Sequence, residues 1–101
     1  MKKLFISMAF NGISEKEVMQ HRKEILDHLR ENNFPLDEYE LIDNYHHNDA
    51  PENASRLWHL GRSIQQMSQA DIIYFTQDDA RGVIIEKIIA ALYGLPVLNI
   101  N

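Results

Sequence analysis

Residues 70–97 read ADIIYFTQDDARGVIIEKIIAALYGLPV, and the reading of this stretch decides the fold. Ile72-Ile73-Tyr74-Phe75 is a short run of β-branched and aromatic residues, the pattern of a strand covered on both faces. Gln77 to Gly82 is a polar turn. Val83 to Tyr93 is apolar on almost every face and long enough for a helix, and Gly94 suits the left-handed residue that ends one. Leu95 to Ile100 then reads as a further strand, with Pro96 near its start, where a missing N–H is tolerated. Strand, turn, helix and strand in that order form the unit of a parallel sheet, because re-entry in the same direction needs a crossover.

The rest of the chain repeats the unit. Leu4 to Phe10 is a nearly unbroken apolar run that Asn11-Gly12 ends, a first buried strand. It follows Met1-Lys2-Lys3 in the manner of a leader peptide. Ser7 interrupts the run, however, and no small-residue cleavage site follows, so a strand is the reading. Ser14 precedes Glu17 by three, a capping-box spacing that opens a helix with Val18, Met19, Arg22, Ile25, Leu26 and Leu29 along one side. Asn32-Asn33 and Pro35 stop it. Tyr39 to Asp43 is a weaker strand suited to an edge. Residues 44–52 form a polar loop, and Leu57, Leu60, Ile64 and Met67 follow helical spacing. The order β-α-β-α-β-α-β predicts a three-layer α/β sandwich with about four parallel strands in the order 2-1-3-4, of flavodoxin or Rossmann-like kind. Ligands of such sheets sit beyond the carboxyl ends of the strands where the order reverses, which nominates residues 7–12 and 76–82.

Composition narrows the chemistry. At 101 residues the chain has the size of a single domain, 1–101, able to bury a core without staples. Without cysteine, it excludes disulfides, thiolate metal sites and a cysteine nucleophile. A net charge of −5 argues against a nucleic-acid polymer as partner. No apolar stretch approaches a membrane span, so a cytoplasmic protein that does not enter the membrane is expected.

Glu86 is the residue that invites a chemical role. It lies one turn into the last helix, on a face shared with Gly82, Val83, Ile89, Ala90 and Tyr93, where a carboxylate is costly unless partnered. Its alternative is a surface or subunit-contact carboxylate. Asp78, Asp79 and Arg81 bring two carboxylates and a guanidinium to the same turn, with a solvated turn capped by Asp79 as the plain reading. Ser7, Phe10, Asn11 and Gly12 end the first strand, and Gly12 would let a ligand approach the backbone, yet no phosphate-binding glycine motif is present. Trp58 suits either a stacking ring at a cleft or a core or interface residue. His46, His47, Asp49 and His59 lack the spacing of a metal site, so neither metal nor other cofactor is expected. The apolarity of residues 83–93 exceeds what a four-stranded sheet can cover, and a homo-oligomer is expected.

The succession Leu-Phe-Ile-Ser, Ser68-Gln69-Ala70-Asp71, Ile-Ile-Tyr-Phe, Ala80-Arg81-Gly82-x-x-x-Glu86 and Ala90-x-x-x-Gly94-x-Pro96-Val97 resembles the nucleoside 2-deoxyribosyltransferase-like superfamily, above all its short phage and bacterial members. The resemblance implies that Glu86 attacks the anomeric carbon of a 2′-deoxynucleoside or nucleotide. The base leaves, and a second base or water resolves the glycosyl-enzyme ester. It also implies that Gly82 lets the sugar approach the turn and that Arg81 contacts the substrate or a phosphate. Departures are visible. Ala80 stands where the enzymes carry an acid, so Asp79 becomes the candidate acid-base group. Ser63 stands where a further acid is usual, and Met8 and Ala9 replace smaller residues. A C-terminal segment that completes a neighbouring subunit's site in longer members has no counterpart before Asn101. A non-catalytic nucleotide or nucleoside-derivative binder on the same scaffold is the alternative, and a structural oligomer with a vestigial cleft is a third.

Overall fold

The computed structural model describes residues 1–9, 13–45, 50–76 and 80–99. Its elements are β1 (Lys2–Ser7), α1 (Glu15–Glu31), a 3-10 turn (Leu36–Glu38), β2 (Tyr39–Leu41), α2 (Arg56–Met67), β3 (Ile72–Phe75) and α3 (Arg81–Tyr93). The three strands form an open parallel sheet in the order β2-β1-β3. β1 is central, in register Lys2↔Tyr39 with β2 and Leu4↔Ile72 with β3, which is why Leu4, Phe5, Ile6 and Ser7 are all buried.

The strand pleat sorts the core into two layers. Leu4, Ile6 and Met8 pack against Ile25 and Leu29 of α1, with Tyr39, Ile72 and Tyr74 at the margin. Phe5 points the other way and meets Met67 of α2, Ile73, and Ile89 of α3. Helices therefore cover both faces, α1 on one and α2 with α3 on the other. Ser7, two residues beyond Phe5, belongs to the second face.

Helix ends follow from local chemistry. Ser14 Oγ accepts the Glu17 N–H at 3.2 Å and donates to the Glu17 carboxylate at 3.1 Å, so the expected cap forms. Gly94 closes α3 with φ 63°, a left-handed conformation that a side chain would disfavour. Met19, expected on the inner side of α1, is exposed instead.

The sheet is smaller than the four strands expected. Among the described residues the segment after α3 makes one isolated parallel bridge, Ile73↔Val97, through Ile73 N–H to the Pro96 carbonyl and Leu98 N–H to the Ile73 carbonyl. Pro96 brings no N–H to a ladder, and of residues 95–99 only Leu95 and Leu98 pack inward. β1 and β2 are also shorter at their carboxyl ends than the apolar runs predicted. Past the β1–β2 ladder, Ile42 N–H donates to the Leu4 carbonyl at 2.9 Å. At the next pairing position the Asn44 side-chain amide, not a backbone N–H, donates to the Ile6 carbonyl at 2.8 Å.

Candidate functional site

Beyond the carboxyl ends of β1 and β2 lies an open cavity of about 660 Å³. Met8 and Ala9 after β1 line it, with Asn44 and Tyr45 after β2, one side of α2 and the first turns of α3. Its position is the one the strand order nominates for ligands.

Glu86 is its central feature. Val83, Glu86 and Ala90 form the buried stripe of α3, spaced three and four residues apart, so the helix that covers Phe5 and Ile73 carries the carboxylate inward with it. Glu86 is 7 % exposed, lines the cavity, and its Oε2 has no hydrogen-bond partner among the described residues. Burial disfavours the charged form and raises the pKa from 4.5 to about 7. The Ser7 hydroxyl acts in the opposite sense, favouring the carboxylate. Ser7 Oγ itself is buried and makes no hydrogen bond of accepted geometry among the described residues, so its influence on Glu86 is that of a nearby dipole. Tyr93, expected on the face of Glu86, is exposed: it is the last residue of α3, at the end of the helix beyond the buried stripe.

Around Glu86 stand Arg81, Gly82, Ala80 and Val83 from α3 and Arg56, Leu57, His59, Leu60 and Ser63 from α2. A Cβ built on Gly82 would meet nothing within 4 Å, so the absence of a side chain leaves open space in front of the helix start. Met8 forms part of the wall without filling the cleft. Glu86 is the only Asp or Glu among the described lining residues, and the described residues contain no group of three His, Asp or Glu placed to hold a metal.

Of the side chains nominated from sequence, Arg81, Gly82 and Glu86 come together at this cavity. Ser7 sits behind it, buried beside Glu86 rather than lining the space. Trp58 does not line it: the cavity-facing side of α2 carries Arg56, Leu57, His59, Leu60 and Ser63, and Trp58 lies edge-to-face on His59 at 5.1 Å. Asp79 is not the cap of α3. That position belongs to Ala80, which offers no side-chain hydrogen bond. Phe10, Asn11, Gly12, Asp78 and Asp79, like His46, His47 and Asp49, lie outside the described residues.

Sequence reasoning missed Asn44, Tyr45, Arg56 and His59. Asn44 is 2 % exposed; besides capping the Ile6 carbonyl it accepts from Arg22 at 2.9 Å, and Arg22 also bridges to Asp43 at 3.1 Å. Gln66 donates to the Asp43 carbonyl at 2.9 Å, so the turn leading to Tyr45 is held from α1 and from α2. The one local signal was Arg22 on the apolar side of the first helix, a cation that needed a partner.

The fold and the cavity define an α/β domain with an open parallel sheet and a buried carboxyl group at its ligand-binding end. Neither a protein-family model nor a curated protein matches the chain.

Proposed function

We propose that this protein performs N-glycosidic bond chemistry on a deoxynucleoside or its nucleotide, with Glu86 as nucleophile, without a cofactor. The observation that carries the reading is a carboxyl group more than nine-tenths buried, with a free oxygen, in a cavity of about 660 Å³ at the carboxyl end of the sheet. A desolvated carboxyl group in a cleft is a functional-site candidate. The motif resemblance points to the same residue.

In the proposed reaction a Glu86 carboxylate oxygen attacks C1′ while the C1′–N bond breaks and its electron pair leaves with the base. The base takes a proton from an acid, for which Asp79 is the candidate. Water, or a nitrogen of a second base, then attacks C1′ of the ester. Glu86 departs as carboxylate, and the proton of the incoming group returns to the acid. Arg81 and the open space at Gly82 serve substrate binding.

One observation favours the alternative, a nucleotide or nucleoside-derivative binder without turnover. Ala80 and Ser63 stand where further acids would complete the acid-base set, and no second carboxylate lines the described cavity. Incubation of the protein with each 2′-deoxynucleoside and 5′-monophosphate, with and without a second free base, decides between them by chromatography. Base release or exchange that is absent in Glu86→Gln supports the enzyme. Saturable binding with no release over a long incubation supports the binder. We further propose a homo-oligomer, supported by Ile84, Ile88 and Leu92, which lie exposed one turn apart along α3; sedimentation of the full chain tests it. Among the described residues no helix is long and apolar enough to cross a membrane.

A further inference from the structure

The helices that link parallel strands run against them, so α2 and α3 descend from the carboxyl ends of the sheet toward its amino ends. Phe5 marks a common level, because it packs with Met67 of α2 and with Ile89 of α3. From that level a strand climbs about 3.3 Å per residue and a helix about 1.5 Å. Ser7 therefore stands about 7 Å above Phe5, and Glu86, three residues before Ile89, about 4.5 Å above it. His59, Ser63 and Met67 are spaced by four and share the side of α2 that meets the sheet. Ser63 lies one turn above Met67, near the height of Glu86, and is buried as Glu86 is. His59 lies a further turn up, about 12 Å above Met67 and past the end of β1. There it is half-buried in the cavity wall.

Glycosidic cleavage divides its labour in space, since a nucleophile approaches C1′ from one side and the base departs from the other with a proton. A sugar seated on Glu86, deep in the cavity, sends its base toward the mouth, where His59 stands. The other polar side chains of the described lining are Asn44, Tyr45, Arg56, Ser63 and Arg81. Amides and guanidinium groups do not exchange protons under these conditions, and hydroxyl groups hold theirs firmly. Imidazole is the side chain that both gives and takes a proton near neutrality. Beside Glu86, His59 is the described lining residue equipped for that work. Trp58 packs edge-to-face on its ring at 5.1 Å and restrains it.

We propose that His59 is the acid-base residue of this cavity, protonating the departing base and then taking the proton of the group that replaces it. The proposal rests on the glycosidic reading with Glu86 as nucleophile, and it gives to α2 the role for which Asp79 is the other candidate. As the C1′–N bond breaks and its electron pair passes to the base, the His59 imidazolium gives its proton to a base nitrogen and becomes neutral imidazole. In the second step water, or a nitrogen of a second base, attacks C1′ and yields its proton to His59. Glu86 departs as carboxylate, and the imidazolium is restored.

The test uses a leaving group that needs no acid. The base of 7-methyl-2′-deoxyguanosine already carries a positive charge and leaves neutral without a proton, whereas the four unmodified 2′-deoxynucleosides need one. Base release from each is followed by chromatography with the full chain as wild type, His59→Gln, His59→Asn and Asp79→Asn, and melting temperatures check that every variant is folded. Both His59 variants are expected to release unmodified bases roughly 10²-fold or more slowly than wild type, the scale of general acid catalysis. They are expected to cleave the methylated nucleoside nearly as fast as wild type, which a variant that only disturbed the fold would not do. Loss of both activities, loss of neither, or selective loss in Asp79→Asn alone overturns His59 as the acid and leaves Glu86 as nucleophile standing. Release from no nucleoside, methylated or not, overturns the glycosidic reading and the role of His59 with it.

Discussion

Replacing Glu86 by Gln is expected to stabilise the protein at alkaline pH, and the size of the effect follows from the burial. The carboxyl group titrates at about 7 in the folded chain against 4.5 when solvated. The folded state therefore holds the proton more tightly, and stability must fall as the proton is lost. The contribution is fully present below pH 4.5, declines as pH rises through about 7, and is then gone. At 1.36 kcal/mol for each unit between the two values, the ionised group costs the native fold roughly 3 kcal/mol. Most of this, roughly 2–3 kcal/mol, develops between pH 5 and pH 8. Glutamine keeps the shape and cannot ionise. Urea unfolding of both proteins across this range should give a wild-type curve that descends relative to the variant, with the variant the more stable above pH 7. For a domain of this size the difference corresponds to a melting temperature higher by roughly 10–20 °C. Titrations common to both proteins cancel in the comparison. Parallel curves from pH 5 to pH 8 would refute the reasoning, for they would mean that the carboxylate is solvated or partnered in the folded chain.

Two further expectations concern the same region. If Glu86 is the nucleophile it acts as the carboxylate, so the initial rate of base release in the substrate-free titration range should fall as pH drops through about 7. A rate indifferent to pH between 6 and 8 would contradict that role. Asn44→Ala removes the donor to the Ile6 carbonyl and the acceptor of Arg22 from a buried position. The loss should cost about 1–3 kcal/mol in denaturant unfolding, whereas Asp43→Ala, on the exposed side of the same arginine, should cost under about 1 kcal/mol.

A carboxyl group that weakens its own fold is intelligible where a ligand needs it. The stripe of α3 would pack more favourably with an apolar residue between Val83 and Ala90. This departure from core chemistry lies at the cavity. Sites that break local rules in this way are where function is expected to reside.

Much of the architecture was legible in the chain itself. Apolar runs of strand length alternating with helical spacing specify an α/β unit, because each pattern can bury its apolar side in only one kind of backbone. The Ser14 cap, β3 at Ile72–Phe75 and the Gly94 stop depend on local chemistry and stand where their residues imply. Glu86 could also be singled out, since a helical wheel places it among apolar neighbours. Tertiary structure alone decided the rest. Whether residues 95–99 form a strand depends on how many ladder bonds the β3 edge accepts, and among the described residues the bonds to this segment are those around Ile73. Which side of α2 faces the cavity is set by how that helix rests, through Met67, on Phe5 and Ile73, and this brings in Arg56 and His59 while leaving Trp58 out. Asn44 became structural only because the Ile6 carbonyl and Arg22 approach it from elements far away in the chain. Residues that are distant in sequence acquire a shared environment through packing, and burial, pKa and cavity shape are properties of that environment.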